Sequence, residues 1–223
     1  MSINPEQDSA ASPIAALGEG TPCGAPRAGI AIGAGAIWFT CRAAELGRVD
    51  LQTRIGRAVG LEAGLVTSSS SIISAFEDVA YGLDSLWIVD SATNSIIEVD
   101  PVVIQRLRSL TVGQDPRAVA VSDDSLWVAN YEDDTVKRLE IPAKGATPTI
   151  TDIPVGDGPV DVAFGEGAVW VVNQLDRTVM RIDPESNEVV ATIRPGNEPQ
   201  RAAAGEGFVW VTVRAPEDEA SEP

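Results

Sequence analysis

Residues Pro159–Glu198 read PVDVAFGEGAVWVVNQLDRTVMRIDPESNEVVATIRPGNE, and this stretch decides the fold. Val160–Phe164 alternates, and Gly165-Glu166-Gly167 turns the chain. Ala168–Asn173 is almost continuously apolar, the pattern of a strand buried on both faces. Gln174–Arg177 is a polar turn, and Thr178–Ile182 alternates again. Asp183-Pro184-Glu185-Ser186-Asn187 is a strong turn signal. Glu188–Ile193 reads as a fourth strand, and Pro195–Pro199 leads onward.

The same unit recurs on both sides. All five tryptophans share one local context: Ile37-Trp38-Phe39, Leu86-Trp87-Ile88, Leu126-Trp127-Val128, Val169-Trp170-Val171 and Val209-Trp210-Val211. Their spacings of 49, 40, 43 and 40 residues define a repeat. Four short strands per ~40 residues, joined by tight turns, predict a β-propeller of four-stranded antiparallel blades. The first strand of each unit, A, lines the central channel, where small residues such as Ala118-Val119-Ala120 and Ala202-Ala203-Ala204 suit the crowding. The tryptophan strand, B, lies between A and C. Its ring wedges between blades, which predicts five core tryptophans rather than an aromatic binding cage.

The Trp-Val-Ala-Asn and Trp-Val-Val-Asn strands at 127–130 and 170–173, with Asp183-Pro184 through Pro199, resemble the YVTN-type β-propeller repeats. A more distant similarity is to the streptogramin B lyases. The resemblance spans about Gly29 to Val213 and implies a fold rather than an activity, since one fold hosts many sites. The lyases use a histidine base at a metal-assisted site. This chain has no histidine, so the resemblance does not bring that activity with it.

The expected organisation is an N-terminal disordered segment at 1–13, a propeller at 14–213 and an acidic disordered tail at 214–223. Blades begin near Arg27, Phe76, Pro116 and Pro159. A fifth shows only A and B strands, from Ala202 to Val213. Two closures fit. Ile14–Leu17 and its exit loop can complete the fifth blade and close a five-bladed ring, or the chain is part of a larger propeller, as in relatives that have seven blades.

Composition narrows the chemistry. Hydrophobic residues are 44% of 223, enough for a core, while 33 acids against 16 Lys and Arg give a net charge of −17. That field disfavours nucleic acid and anionic membranes as partners. No stretch approaches the ~20 apolar residues of a membrane span. Met1–Ala11 has neither a basic nor an apolar region of a secretory signal. Without histidine, Ser-His-Asp and Cys-His sets are excluded, and two cysteines cannot build a structural zinc site. No phosphate loop or Gly-x-Ser-x-Gly elbow occurs. The acidic runs Asp123-Asp124, Glu132-Asp133-Asp134 and Asp157-Gly158 lack calcium-loop spacing and read as solvated turns. No cofactor and no metal are expected.

The loops joining D to A and B to C emerge together at one mouth of the channel. They carry Arg27, Arg117 and Arg201 after prolines, and Asp90, Asn130 and Asn173 at strand-B ends. Such a ring could grip a carboxylate or sugar-like ligand, or these residues satisfy loop carbonyls. Cys23 precedes the first strand A and Cys41 ends the first strand B, so a disulfide is geometrically open, as is a pair of separate thiols. Linkage would imply an extracytoplasmic compartment, its absence a cytoplasmic one. The leading expectation is a non-catalytic module that binds a small molecule or protein. A lyase- or hydrolase-like enzyme using carboxylates at the channel mouth, and a structural spacer, are the alternatives.

Overall fold

A computed structural model describes residues 26–41, 45–61 and 75–214, and every regular element in it is a β-strand. Blade one comprises β1 (Pro26–Gly33), β2 (Ala36–Cys41), β3 (Glu45–Asp50) and β4 (Gly56–Gly60). Blade two comprises β5 (Phe76–Gly82), β6 (Ser85–Asp90), β7 (Ser95–Asp100) and β8 (Gln105–Thr111). Blade three comprises β9 (Pro116–Val121), β10 (Ser125–Asn130), β11 (Thr135–Glu140) and β12 (Thr149–Pro154). Blade four comprises β13 (Pro159–Gly165), β14 (Ala168–Asn173), β15 (Thr178–Asp183) and β16 (Glu188–Ile193). Blade five has β17 (Pro199–Gly205) and β18 (Phe208–Val213). The first four sheets are four-stranded antiparallel meanders, and the fifth is a two-stranded pair. The described residues form five blades of a β-propeller; blades two to four start at Phe76, Pro116 and Pro159 as expected, and the fifth starts at Pro199 rather than Ala202. Ile14–Leu17 and Cys23 lie outside the described residues, as do the proposed terminal segments apart from Arg214.

Local chemistry explains the meanders. The A–B hairpins turn on residue pairs with positive φ, Ala34-Gly35, Leu83-Asp84, Glu166-Gly167 and Glu206-Gly207. Both central residues in that region are what a two-residue turn matching strand twist requires. The C–D turns start with an aspartate that accepts from backbone amides just ahead: Asp50 Oδ1 from Gln52 and Thr53, Asp100 Oδ1 from Val102 and Val103, Asp183 Oδ1 from Glu185. These are Asx turns, the reason aspartate punctuates this position.

The A strands β1, β5, β9, β13 and β17 pack in succession around the axis, and no comparable packing joins β17 back to β1. The core lies between blades. Trp38 packs with Phe76, Val79 and Ile88, and Trp127 packs with Val162, Val169 and Val171. Gly29 lets β1 approach β5, since a Cβ there would lie 2.6 Å from Asp78 Cα. One expectation needs correcting. Trp38, Trp87 and Trp127 are fully buried, but Trp170 is half-buried and Trp210 is 53% exposed. A tryptophan here is covered by the following blade, and the fifth blade has no follower among the described residues.

Candidate functional site

The mouth of the channel is shaped by a repeated irregularity. In blades two to five, the first residue of strand A pairs with the last of strand B, and then one extra residue is inserted before the ladder resumes. The inserted residues are Glu77, Arg117, Val160 and Gln200. A β-bulge re-aims the side chain it carries. All four bulge residues line one pocket of about 210 Å³, joined by Gln174 and Arg201. Arg117 is held there by Asp115, with Nη2 2.5 Å from Oδ2, and its guanidinium lies over the Tyr131 ring at 5.2 Å. Gln174 Nε2 donates to Glu198 Oε1 at 2.6 Å, and Gln200 Nε2 donates to the same atom at 2.8 Å. These two bonds fix both amides, and they hold the Glu198 carboxyl below the usual range.

One residue deeper, the ring of equivalent positions reads Gly29, Asp78, Ala118, Asp161 and Arg201. Asp78 Oδ2 accepts from Val119 N at 3.0 Å, and Asp161 Oδ2 accepts from Ala202 N at 2.7 Å. Each aspartate thus reaches the A strand of the next blade. Arg201 turns back to Asp161, Nη1 to Oδ1 at 3.1 Å. Asp78, Asp161 and Arg201 line a cavity of about 450 Å³ with Ile30, Val79 and Tyr81 among its walls. Loss of water contact pushes the Asp78 carboxyl up to about 6, with the Asp161 charge adding to the rise and the Val119 amide opposing it. Desolvation also raises Asp161, against the pull of the Ala202 amide and Arg201.

The predicted site residues separate into two groups. Arg117 and Arg201 share the mouth pocket. Asp90, Asn130 and Asn173 are fully buried behind it. Asp90 Oδ1 accepts from Ala75 and Ala92 amides, and Oδ2 accepts from Thr93. Asn130 accepts from Gly113 N and donates to Thr135, while Asn173 donates to Thr178. Asp90 and Asn130 thereby tie strand-B ends to the incoming segments at Ala75 and Gly113. The side chain of Arg27 lies outside the described residues. Cys41 is buried and is not a free thiol. Glu77, Gln174, Gln200, Asp78 and Asp161 went unread in the sequence, because a bulge changes direction without changing composition. The only trace was the Asp at the third position of two A strands. Among the described residues no group of three or more acids or cysteines is placed to hold a metal ion, and no helix is long and apolar enough to cross a membrane.

No protein-family model and no curated protein matches the chain. Solved structures do. A catalytically inactive variant of virginiamycin B lyase from Staphylococcus aureus, solved with quinupristin, aligns at TM-score 0.67 and 22% identity over 82% of this chain and 62% of its own. A functionally unknown protein from Desulfotomaculum acetoxidans aligns at TM-score 0.67 and 14% identity, over 83% and 62%. Glutaminyl cyclase from Myxococcus xanthus aligns at TM-score 0.54 and 12% identity, over 85% and 88%. The chain therefore spans about three-fifths of the length of the first two, and at these identities the likeness concerns architecture. What the comparisons establish for this chain is its β-propeller fold.

Proposed function

We propose that this protein is a non-catalytic binding module of the YVTN propeller type, and that its ligand is a small molecule with a carboxylate or sugar-like polar group seated at the channel mouth. The observation carrying this reading is the convergence of four bulge residues from successive blades on one pocket with two partly exposed arginines. Arg117 and Arg201 offer forked donors to a planar anion, and the fixed amides of Gln174 and Gln200 offer neutral polar contacts. Neither arginine is spent entirely on its aspartate, since five donors exceed what one carboxylate accepts.

A thermal-shift screen against organic acids, sugars and peptides should find a stabilising ligand, because binding to the native state raises the melting temperature. Arg117→Ala and Gln200→Ala should each weaken that ligand about tenfold or more without lowering the unliganded melting temperature by more than ~2 °C. Normal binding in both variants sinks the mouth assignment.

A second reading is a carboxylate-based lyase or hydrolase. Asp78, with a carboxyl raised to about 6, shares a cavity with Asp161. One acid poised near neutrality beside a second carboxyl suits proton transfer. Turnover of a bound ligand that Asp78→Asn abolishes, with affinity retained, would select this reading over simple binding. The Cys23–Cys41 disulfide also stands as a proposal, which non-reducing mass spectrometry of the folded protein decides.

A further inference from the structure

In three bulged A strands, two successive residues reach the channel at different depths. Glu77, Val160 and Gln200 line the mouth pocket, and the residues that follow them, Asp78, Asp161 and Arg201, line the cavity of about 450 Å³. Arg201 lines both spaces, so the two adjoin. Their chemistry differs. Ile30, Ile32, Val119 and Val162 give the cavity apolar walls, into which the two carboxyls are set. Arg201 is the one cation among the described residues that line it, and it donates from Nη1 to Asp161 Oδ1 at 3.1 Å. Asp78 has no ion-pair partner among the described residues.

The fold does not itself demand a carboxylate at this depth. Asp78 and Asp161 each accept an amide of the next blade. The same position holds Gly29 in blade one and Ala118 in blade three, and β1 packs on β5 and β9 on β13 without such a bond from a side chain there. An apolar space with a few converging polar groups is the usual form of a small-molecule site. Two carboxyls beside one guanidinium leave an acidic excess, and its complement is a cation. Loss of water contact and the Asp161 charge both push the Asp78 carboxyl up. An ammonium ion seated beside it would offset both. At long range the net charge of −17 also favours a cationic group.

We propose that the channel cavity is an amine subsite, in which Asp78 and Asp161 hold an ammonium group while the carboxylate of the same ligand lies against Arg117 and Arg201 at the mouth. The ligand is then an amino acid or short peptide, with its aliphatic part along the apolar walls. This rests on the mouth reading above and adds the ligand's second charge.

Titration calorimetry of the full chain separates the two contacts, with 6-aminohexanoate, hexanoate, 6-acetamidohexanoate and hexylamine as probes. The pH is set at about 7.5, above the range in which Asp78 titrates. 6-Aminohexanoate spaces its two charges much as a dipeptide does. It should bind about tenfold more tightly than hexanoate or the acetylated form, the effect of one charge-assisted contact. That comparison needs no variant to fold. Asp78→Asn should remove the gain and leave hexanoate unaffected, and its amide oxygen keeps an acceptor for Val119 N. Arg117→Ala should weaken hexanoate and 6-aminohexanoate alike. Equal affinity for those two probes, or a gain that survives Asp78→Asn, overturns the amine subsite, while the mouth reading still stands on Arg117→Ala. Hexylamine binding as tightly as 6-aminohexanoate, and lost in Asp78→Asn, upholds the subsite and sinks the mouth reading instead. No binding by any of these probes overturns the proposal.

Discussion

Trp127 and Trp210 hold the same register in their blades, opposite Ala120 and Ala203 of the neighbouring A strand. Chemistry and backbone are alike, and only the covering blade differs. Trp127→Ala should therefore cost ~3–5 kcal/mol, as other buried large-to-small changes do. Trp210→Ala should cost under ~1 kcal/mol, and urea melts of the two variants give the comparison. Asp78 makes a second residue-scale prediction. Its folded-state carboxyl titrates near 6 and its unfolded one near 3.8, so between those values the folded state binds more protons. Stability from this group is then fully present below pH 3.8 and lost as pH rises through 6, by at most ~3 kcal/mol. Asp161 is raised as well and acts with the same sign. Asp78→Asn should flatten, without abolishing, the fall in urea midpoint between pH 4 and pH 7. An unchanged slope removes Asp78 from that role.

In blades one to three an arginine stacks on the tryptophan of strand B, and the elements supply it differently. Arg48 of β3 lies 5.5 Å from the Trp38 ring centre, and Arg138 of β11 lies 4.9 Å from that of Trp127. In blade two, β7 places Glu98 at the equivalent position, and Arg108 of β8 takes over, 5.9 Å from the Trp87 ring and 2.5 Å from Glu98 Oε2. Arg138 does more than stack. It donates to Ser125 Oγ within its blade, and to Pro184 O and Asn187 Oδ1 in the C–D turn of blade four. It is the polar counterpart of the apolar wedge between those blades. Arg138→Ala should lose ~3 kcal/mol, since the buried Ser125 hydroxyl and two half-buried acceptors lose their donor together with the stacked guanidinium. Arg138→Lys should not restore it, because a single ammonium cannot reach three acceptors from a stacked position. Chemical denaturation of both variants checks this, and full rescue by lysine refutes the fork argument.

At the scale of the whole molecule, a net charge of −17 acts on a fold whose last blade has two strands among the described residues. Like charges spread over the surface oppose compaction, and salt shortens their reach from ~30 Å at 0.01 M to ~8 Å at 0.15 M. The melting temperature should rise across that range and then level off. A fall would mean that local pairs such as Arg117–Asp115 outweigh the general repulsion. The 450 Å³ cavity has Ile30 and Ala203 among its walls, from the first and last of the described blades.

The sequence by itself determined the repeat and the bounds of blades two to four, because alternation, turn residues and tryptophan spacing are local properties of ~40 residues. It also placed Arg117 and Arg201 near one mouth, since their position after a proline at the start of strand A is a local register. The tertiary structure decided what depends on distance along the chain. Bulges at Glu77, Arg117, Val160 and Gln200 turned unremarkable side chains into a common pocket. Asp78 and Asp161 became channel carboxylates only because the amides they cap belong to the next blade, 41 residues on. Asn130 and Asn173, which read from the sequence as strand-B ends open to a ligand or to loop groups, are spent on a loop amide and on hydroxyls. The fate of each tryptophan followed the same rule: its identity is set by its own strand, and its burial is set by the blade that comes after it.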